Sequence, residues 1–554
     1  MKLVECVPNF SEGRDKSILD QITAVIKSVK GVTLLDVDPG ADTNRTVYTM
    51  VGSPEVVVEA AFQAIKKAGE IIDMSKHHGA HSRMGATDVC PFIPVSDMTM
   101  EECVELANQL GKRVGEELDI PVYLYEYAAK SEERKNLANI RKGEYEALPE
   151  KMKDPNFKPD YGRQYFNEKS GATVIGAREF LIAYNINLNT RDKKKAHKIA
   201  LEIREMGKFK RDSKGKIVKD QNGNKVRVPG LFKHCKAVGW YIDSYNCAQI
   251  SMNLTNYNIT PAHIVLDKVR ELAGEAGIQV TGSELVGLLP KAALIQAGKY
   301  YLKKLGESAG LPEEMIIKTA VQSMGLNDLY KFENDKKIIE YAIENPDKLA
   351  NLSLKEFCDE LSTDSPAPGG GSVAALSAAI SGALTSMVSN LTIGKKGYEN
   401  FDKEAKILAE EGQKIKEDSL YEIDNDTQAF YTMMDALRLP KKSKEEKEIR
   451  EKAVQEATKN AILVPFNTLK IAKKSVELAN KISKIGNKNA LSDAGVAAIT
   501  ANAAAKSAFL NIKINMGSIK DEDFKNSILK QASQILEEIN QIALKVENDI
   551  LENL

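Results

Sequence analysis

The strongest constraint in this sequence is a change of pattern near residue 365, because the strand signals end there. Before that point, short apolar runs alternate with amphipathic helical stripes, whereas residues 365–554 carry only helical patterns. A charged, linker-like stretch over residues 327–361 separates the two regions. With 554 residues the chain is also too long for a single hydrophobic core. We therefore expect an α+β N-terminal half followed by an all-α helical bundle.

The N-terminal half repeats one order of elements. The order strand, helix, strand, strand, helix, strand starts at Leu3 and returns in the stretch that begins near Phe180. With short links, this order predicts two ferredoxin-like α/β subdomains, and a cleft between them is the natural ligand site. The extended run at residues 88–95 contains Pro91 and Pro94, so we predict an irregular strand or an edge strand there.

These patterns set the predicted domain limits. We assign residues 1–178 and 179–326 to the two α/β subdomains, residues 327–344 to a linker, and residues 345–554 to the helical domain. The second subdomain carries a basic insert, which we define as residues 208–227, with eight Lys or Arg against two Asp. Its composition fits either a solvated hairpin or a grip on an anionic substrate tail.

Charge and cysteine content narrow the class of protein. Lys and Arg number 77 against 78 Asp and Glu, which leaves no basic footprint for nucleic acid. The six cysteines are widely spread, as is typical of reduced thiols in a cytosolic protein rather than of disulfides or a metal site. The N-terminal residues lack the apolar core of a signal peptide. We expect a cytoplasmic location.

A loop rich in histidine is the first candidate site. His77, His78 and His81 fall between a predicted helix and the extended run at residues 88–95, with Asp88 nearby. Histidine can take and return a proton near neutral pH, and such a loop stays accessible to a substrate. A solvated loop with chance histidines is the alternative. The spacing lacks the glutamate of a zinc-binding H-E-x-x-H motif, so we predict no metal.

A glycine loop opens the helical half, with Gly369, Gly370, Gly371 and Ser372 at the start of an Ala- and Ser-rich helix. Residues 365–394 carry no charge, but they hold too many small and polar residues for a membrane span. No G-K-[ST] follows, so the loop is not a P-loop. Its backbone amides could hold a carboxylate, and a plain flexible helix start remains open.

A carboxylate on an apolar helix face is the second candidate site. The seam of the helix predicted over residues 401–437 steps by three or four through seven residues: Ile415, Ser419, Ile423, Asp426, Phe430, Met433 and Leu437. Asp426 therefore lies on the buried face, where desolvation raises a carboxyl pKa, while Asp424 points the other way. A structural salt bridge is the alternative for Asp426. Asp493 starts a later helix, where capping is the simplest role.

Several longer motifs resemble known families. Segments 7–13 (VPNFSEG), 44–49 (NRTVYT), 83–92 (RMGATDVCPF) and 171–178 (GATVIGAR) resemble glutamate formimidoyltransferase. Segment 366–375 (PAPGGGSVAA), together with Asp424-Asn425-Asp426, resembles formimidoyltetrahydrofolate cyclodeaminase. In this order the chain is similar to the bifunctional fusion of the two. Residues 162–171 occupy the family's folate-contacting segment but differ from it in composition.

The resemblance implies two linked steps of histidine degradation. In the first, tetrahydrofolate takes the formimino group of N-formimino-L-glutamate. His81 matches the catalytic histidine and can accept one proton and donate another. Arg45 is a candidate for a substrate carboxylate, and Asp38 for orienting His81 or a substrate nitrogen. The resemblance adds further candidates for binding substrate or folate: Asp88, Gly162, Gly171, Gly176 and Arg178.

The second step implied is ring closure to 5,10-methenyl-tetrahydrofolate with loss of ammonia, in which Asp426 matches the catalytic aspartate. The glycine loop and Asp493 are candidates for binding folate, which we expect in polyglutamylated form. The family also implies a ring-shaped homo-oligomer, with an octamer as a candidate size. Two rival interpretations are a transferase with an inactive helical oligomerisation domain and a non-catalytic folate-binding scaffold.

Overall fold

The computed structural model describes residues 2–40, 44–79, 82–242, 245–343 and 348–554. The chain forms two compact units. The α/β unit holds residues 1–293 and 324–343, and the helical unit holds residues 294–323 and 344–554. Residues 294–323 thus group with the helical unit, although the predicted limits place them in the second α/β subdomain. The predicted domain limits stay a prediction.

The strands lie in the α/β unit. In chain order they are β1 (Leu3–Cys6), β2 (Asn9–Phe10), β3 (Thr33–Gly40), β4 (Arg45–Gly52), β5 (Thr87–Ser96), β6 (Val122–Glu126), β7 (Thr173–Ala177), β8 (Ile182–Leu188), β9 (Lys208–Phe209), β10 (Arg227–Val228), β11 (Cys235–Ile242), β12 (Cys247–Leu254) and β13 (Val280–Val286).

The first twelve helices surround these strands or lead into the helical unit. They are α1 (Lys16–Ser28), α2 (Pro54–Ile71), α3 (Met100–Glu117), α4 (Glu132–Lys135), α5 (Leu137–Arg141), α6 (Leu148–Lys151), α7 (Lys193–Ile203), α8 (Ala262–Glu275), α9 (Lys291–Leu305), α10 (Glu313–Met324), α11 (Asn334–Lys337) and α12 (Ile339–Ala342). Capping chemistry fixes some of their starts. In α3, for example, Thr99 and Glu102 form a reciprocal capping box.

The first sheet contains a ferredoxin-like core. Strand β1 pairs antiparallel with β4 and β5, and β3 pairs with the outer edge of β4, which gives the order β5-β1-β4-β3. Strands β7 and β6 extend this sheet in parallel beyond β5. Strand β5 is therefore interior, and the predicted edge position is wrong. The predicted irregularity is confirmed, since the β1–β5 and β2–β5 registers both shift.

The second sheet has the order β11-β12-β8-β13, with all neighbours antiparallel, and is again ferredoxin-like. The α+β class predicted for this half is confirmed. The basic insert forms two tight turns between the short paired strands β9 and β10. Asp212 accepts backbone hydrogen bonds in the first turn and Asp220 in the second, where Gly223 has a φ of +82°. The antiparallel bridge between Lys219 and Lys225 closes the second turn, so the insert has the hairpin form predicted for it.

The helical unit contains no strand in its described residues, which confirms the predicted all-α half. Besides most of α9 and α10 it contains α13 (Leu354–Leu361), α14 (Gly370–Asn390), α15 (Asp402–Arg438), α16 (Lys444–Ile485), α17 (Leu491–Asn515) and α18 (Glu522–Leu551). Small residues let α14 and α15 approach closely. A Cβ on Gly382 would lie 2.8 Å from the Gly412 carbonyl oxygen.

Helix α14 is long and apolar enough to cross a membrane by length and composition. In the structure 61% of its most apolar window is buried inside the protein, as expected for the core helix of a bundle. The Ala-rich face of α17 packs against it, with Ala497, Ala501 and Ala504 fully buried. The high content of small residues is thus explained by close helix packing.

Candidate active sites

A cavity of about 620 Å³ opens in the α/β unit and is lined by residues of both subdomains. It lies where the sequence predicts a cleft. Six basic and two acidic side chains face it: Arg45, Lys135, Arg141, Arg178, His234, Lys236, Glu126 and Glu179. Excess positive charge in a concave site attracts anions, so the cavity suits a ligand that carries carboxylates.

Two arginines of this cavity hold one buried carboxylate, and we call Arg45, Asp88 and Arg141 the arginine clamp. Asp88 Oδ2 accepts hydrogen bonds from Arg45 Nη1 and Arg141 Nη2. Its Oδ1 accepts from the Met84 backbone N–H at 3.0 Å and from Arg141 Nε at 3.2 Å. Asn9 Oδ1 fixes Arg45 from the other side, at 3.2 Å from Nε. Two guanidiniums share one carboxylate, so a net positive charge remains towards the cavity.

Asp88 has a different role from the one the resemblance implies. Its side chain is completely buried, and both its oxygens are occupied by the clamp and by Met84. A carboxylate in this position cannot contact a substrate. The prediction that Asp88 binds substrate is therefore corrected: Asp88 orients Arg45 and Arg141, which do face the cavity. No sequence pattern pointed to Arg141, which lies about fifty positions further along the chain.

The histidine loop is described only in part, because His81 lies outside the described residues. His77 is buried, and its Nε2–H donates to the Asn44 carbonyl oxygen at 2.8 Å. Arg83 Nε donates to His77 Nδ1 at 3.2 Å, so the neutral tautomer uses both ring nitrogens. Burial accordingly lowers the pKa of His77. His77 is a structural residue of the loop, and His81 keeps its candidate role as the base.

Three of the glycine candidates serve close packing. Gly171 has a φ of +68°, and a Cβ there would lie 2.2 Å from the Met84 carbonyl oxygen, at the base of the histidine loop. Gly162 lies against the Ile120 carbonyl oxygen, and Gly176 against the Tyr125 ring. None of these three lines the cavity, whereas Arg178 does. Asp38 is exposed on edge strand β3 and does not line it either.

The second site is built where α14 begins beside α15. Ser372 Oγ donates to Asp426 Oδ2 at 3.2 Å, and a Cβ on Gly371 would lie 2.0 Å from Asp426 Oδ1. Only glycine allows the carboxylate this close to the start of α14. Burial raises the pKa of Asp426, while hydrogen bonds from the Ser372 side chain and backbone oppose that rise. A Cβ on Gly370 would lie 3.2 Å from Asn511 Nδ2 of α17.

The predicted seam of α15 is confirmed in part. Ile415, Ser419 and Ile423 are buried, whereas Leu437 is 40% exposed. Among the described residues no basic side chain forms an ion pair with Asp426, so the salt-bridge alternative is wrong. Asp424 faces elsewhere, as predicted, and its Oδ1 accepts from the Leu349 backbone N–H at 2.7 Å.

The sequence analysis did not identify Glu422, and it predicted the wrong structural role for Asp493. Glu422 is buried one turn before Asp426 and accepts from Asn467 Nδ2 at 2.6 Å; its i−4 spacing from Asp426 was an available signal. Asp493 does not cap α17, because the N-cap is Ala490, and it lies instead in the first turn. Since Asn511 is the α17 residue beside the glycine loop, Asp493 lies about 27 Å away along the helix axis.

Comparison with known proteins follows the same division. Three family models match in succession: the N-terminal subdomain of the formiminotransferase domain over residues 3–178, the formiminotransferase domain over 183–344, and formiminotransferase-cyclodeaminase over 353–534. A formimidoyltransferase-cyclodeaminase from Dictyostelium discoideum is 42% identical over 550 residues, covering 98% of both chains. The chain belongs to the formimidoyltransferase-cyclodeaminase family.

Shorter relatives correspond to single parts of this family's chain. A glutamate formimidoyltransferase from Streptococcus pyogenes serotype M1 is 44% identical over 302 residues, covering 54% of this chain and 94% of its own. A methenyltetrahydrofolate cyclohydrolase from Methylorubrum extorquens is 38% identical over 188 residues, covering 34% of this chain and 90% of its own. Formimidoyltransferase-cyclodeaminases thus join two parts that have separate relatives.

Proposed function

We propose that this protein transfers the formimino group of N-formimino-L-glutamate to tetrahydrofolate and then converts formimino-tetrahydrofolate into 5,10-methenyl-tetrahydrofolate and ammonia. The observation that carries the proposal is the presence, in a member of this family, of two separate built sites. One is a basic cavity with the arginine clamp, and the other is a half-buried Asp426 against a glycine loop.

The transfer step takes place in the cavity of the α/β unit. Arg45 and Arg141 bind a substrate carboxylate through charge-assisted hydrogen bonds, because Asp88 neutralises only one of their two charges. A ring nitrogen of tetrahydrofolate attacks the formimino carbon, and glutamate leaves. The attacking nitrogen loses a proton and the leaving amine gains one. His81 serves as base and then as acid, since imidazole titrates near the working pH.

The second step takes place beside α14. The neighbouring folate nitrogen closes onto the amidine carbon, and the exocyclic nitrogen leaves as ammonia. Ammonia departs only when that nitrogen is protonated, so the step needs an acid. Asp426 supplies the proton because burial keeps its carboxyl protonated to higher pH than an exposed aspartate. Ser372 and Gly371 hold that carboxyl at the start of α14.

Several further properties belong to the proposal. The reactions are two steps of histidine degradation in the cytoplasm, the folate carries a polyglutamate tail, and no metal takes part. The protein assembles as a ring-shaped homo-oligomer, with an octamer as the candidate size. Exposed apolar residues support assembly, because Ile380 and Met387 of α14 and its C-cap Leu391 are each between 38% and 50% exposed.

A second candidate activity for the helical unit is hydrolysis of methenyl-tetrahydrofolate, favoured by its likeness to a protein of that name. One incubation separates the two activities. With tetrahydrofolate and formiminoglutamate, we expect ammonia and methenyl-tetrahydrofolate to form together. Methenyl-tetrahydrofolate supplied alone should persist. The second candidate would be favoured if the protein rapidly hydrolysed methenyl-tetrahydrofolate and released no ammonia from formimino-tetrahydrofolate. His81→Ala should slow only the transfer step, with a loss of rate of about 10²- to 10⁴-fold.

A further inference from the structure

Two strained residues line the cavity of the α/β unit from opposite subdomains. Glu126 ends β6 with a φ of +52°, and His234 precedes β11 with a φ of +54°. Residues other than glycine rarely adopt this left-handed backbone conformation. Such strain persists where the surrounding structure or the function requires it. Both residues face the same cavity. The backbone therefore holds these two side chains towards a common space at a cost in stability.

The carboxylate of Glu126 is also unpartnered. It is half-buried, yet within the described parts of the chain it accepts no hydrogen bond and forms no ion pair. Burial raises its pKa, and the more distant charges of Arg178, Lys236 and His234 pull that pKa down. A half-buried carboxylate without a donor is unfavourable unless something else supplies one. In this position a bound ligand is the natural donor.

We propose that Glu126 binds substrate by accepting two hydrogen bonds from an amidine-type N–C–N edge. This inference rests on the proposed function, and both substrates named there carry such an edge. In formiminoglutamate it is the formimino group itself, and in tetrahydrofolate it is the ring nitrogen with its adjacent 2-amino group. A carboxylate matches either edge in the same bidentate way in which it matches a guanidinium.

The charge arrangement of the cavity supports this assignment. Strand β5 pairs with β7, and β7 with β6, so that Phe92, Ala177 and Glu126 lie in one row across the sheet. Asp88 lies four residues before Phe92 on β5, which separates the clamp from the Glu126 row by about 13 Å. The guanidiniums of the arginine clamp can therefore bind a carboxylate at one position along the strands. The carboxylate of Glu126 can bind an N–H edge at another position.

Glu126→Gly gives a sharp test because glycine adopts a positive φ without strain. We expect the melting temperature of this variant to equal or exceed that of the wild type. Its KM for one of the two substrates should rise by about 10- to 100-fold, the loss expected for hydrogen bonds to a charged group. Glu126→Gln keeps the side-chain shape and should raise the same KM. Whether the KM for formiminoglutamate or for tetrahydrofolate rises identifies the edge that is bound.

Controls separate this inference from the proposed function. Asp97→Gly relieves a similar left-handed residue on an exposed turn outside the cavity, and should leave both KM values unchanged. Unchanged KM values in both Glu126 variants, with normal transfer by the wild type, would overturn the inference alone. A lower melting temperature in Glu126→Gly with normal kinetics would also overturn it, since Glu126 would then tie the subdomains together. No transfer by the wild type would remove the proposed function and this inference with it.

Discussion

Asp424 and Asp426 lie two positions apart on α15 and meet different surroundings. Asp426 faces the start of α14, whereas Asp424 accepts a hydrogen bond from the Leu349 backbone. The difference follows from helical geometry, since two positions rotate a side chain by about 200° around the axis. The helix period alone therefore distinguishes the candidate acid from its neighbour. The same period does not reveal that Ser372 and Gly371 are the partners of Asp426.

Exchanging each aspartate for asparagine tests this difference. Asp426→Asn keeps an acceptor for Ser372 but removes the titrating proton, so formimino-tetrahydrofolate should accumulate with ammonia release at least ~100-fold slower. Asp424→Asn should change ammonia release by less than about threefold. Ammonia and the formimino intermediate are followed together in a coupled assay. Equal losses in the two variants would contradict the assignment, as would full activity of Asp426→Asn with only a lower melting temperature.

Glu5 provides a pH test of the α/β unit. It lies on β1, is 5% exposed, and burial raises its pKa from 4.5 to about 7. The folded state thus keeps a proton that the unfolded state has already lost, so stability should fall as pH rises from about 4.5 past 7. The shift corresponds to about 3 kcal/mol in the free energy of unfolding. Glu5→Gln should flatten this dependence.

The measurement is urea unfolding at pH 5 and pH 8, followed by the fluorescence of Trp240. This residue is the single tryptophan in the sequence and lies in the α/β unit. Glu101→Gln, a change at an exposed glutamate, should keep the wild-type pH dependence. A stability of Glu5→Gln that changes with pH as strongly as the wild type would show that other groups cause the effect.

At the scale of elements, the sequence predicted most of the fold. Local periodicity identified α15 nearly to its ends, at residues 401–437 against Asp402–Arg438. It misjudged β5, because Pro91 and Pro94 suggested an edge strand. In the structure the Pro91 carbonyl still accepts from the Val7 N–H, so the missing donors are tolerated within the sheet. Pairing between distant strands is set by tertiary packing, which periodicity does not report.

The candidate sites were less predictable for the same reason. The arginine clamp depends on Arg141, which a short helix brings to Asp88 from far along the chain. Nothing in the residues around Arg141 marks it as a binding residue. Similarly, Gly171 matches a family motif, but its role is to pack against the carbonyl of Met84. A motif identifies which residues matter more readily than it identifies what they touch.

The contact between the glycine loop and α15 can be tested with one methyl group. In Gly371→Ala the new Cβ would lie 2.0 Å from Asp426 Oδ1, so the start of α14 must move away from the acid. We expect ammonia release to fall at least ~100-fold, as for loss of a general acid, while formimino transfer remains normal. Gly517→Ala in the same unit is the control, because no described atom beyond its immediate neighbours in the chain lies within 4 Å of its Cβ position. Normal ammonia release by Gly371→Ala would contradict the proposed site.

At the scale of the whole molecule, the chain joins two parts whose relatives also occur separately, and each part has its own core and its own site. The change of pattern near residue 365 predicted the α+β and all-α classes of the two parts, but not that residues 294–323 group with the helical unit. The basic insert does not line the cavity of the α/β unit. It has an excess of six positive charges, and Lys216, Lys219, Lys225 and Arg227 lie along it. Any binding role of the insert therefore lies outside this cavity.

Replacing Lys216, Lys219, Lys225 and Arg227 by Gln tests whether the insert holds a polyglutamate tail. Each γ-linked glutamate adds a carboxylate, so a basic segment can bind the tail by several weak, screened attractions. Arg227 and Lys225 lie 4.0 Å and 5.4 Å from the centre of the Phe209 ring, so two of the four cations stand over one aromatic side chain. We expect affinity to fall several-fold more for polyglutamylated tetrahydrofolate than for the monoglutamate, and this difference to shrink in high salt. Equal losses for both folates, or no loss, would show that the insert is a solvated pair of turns without a role in binding.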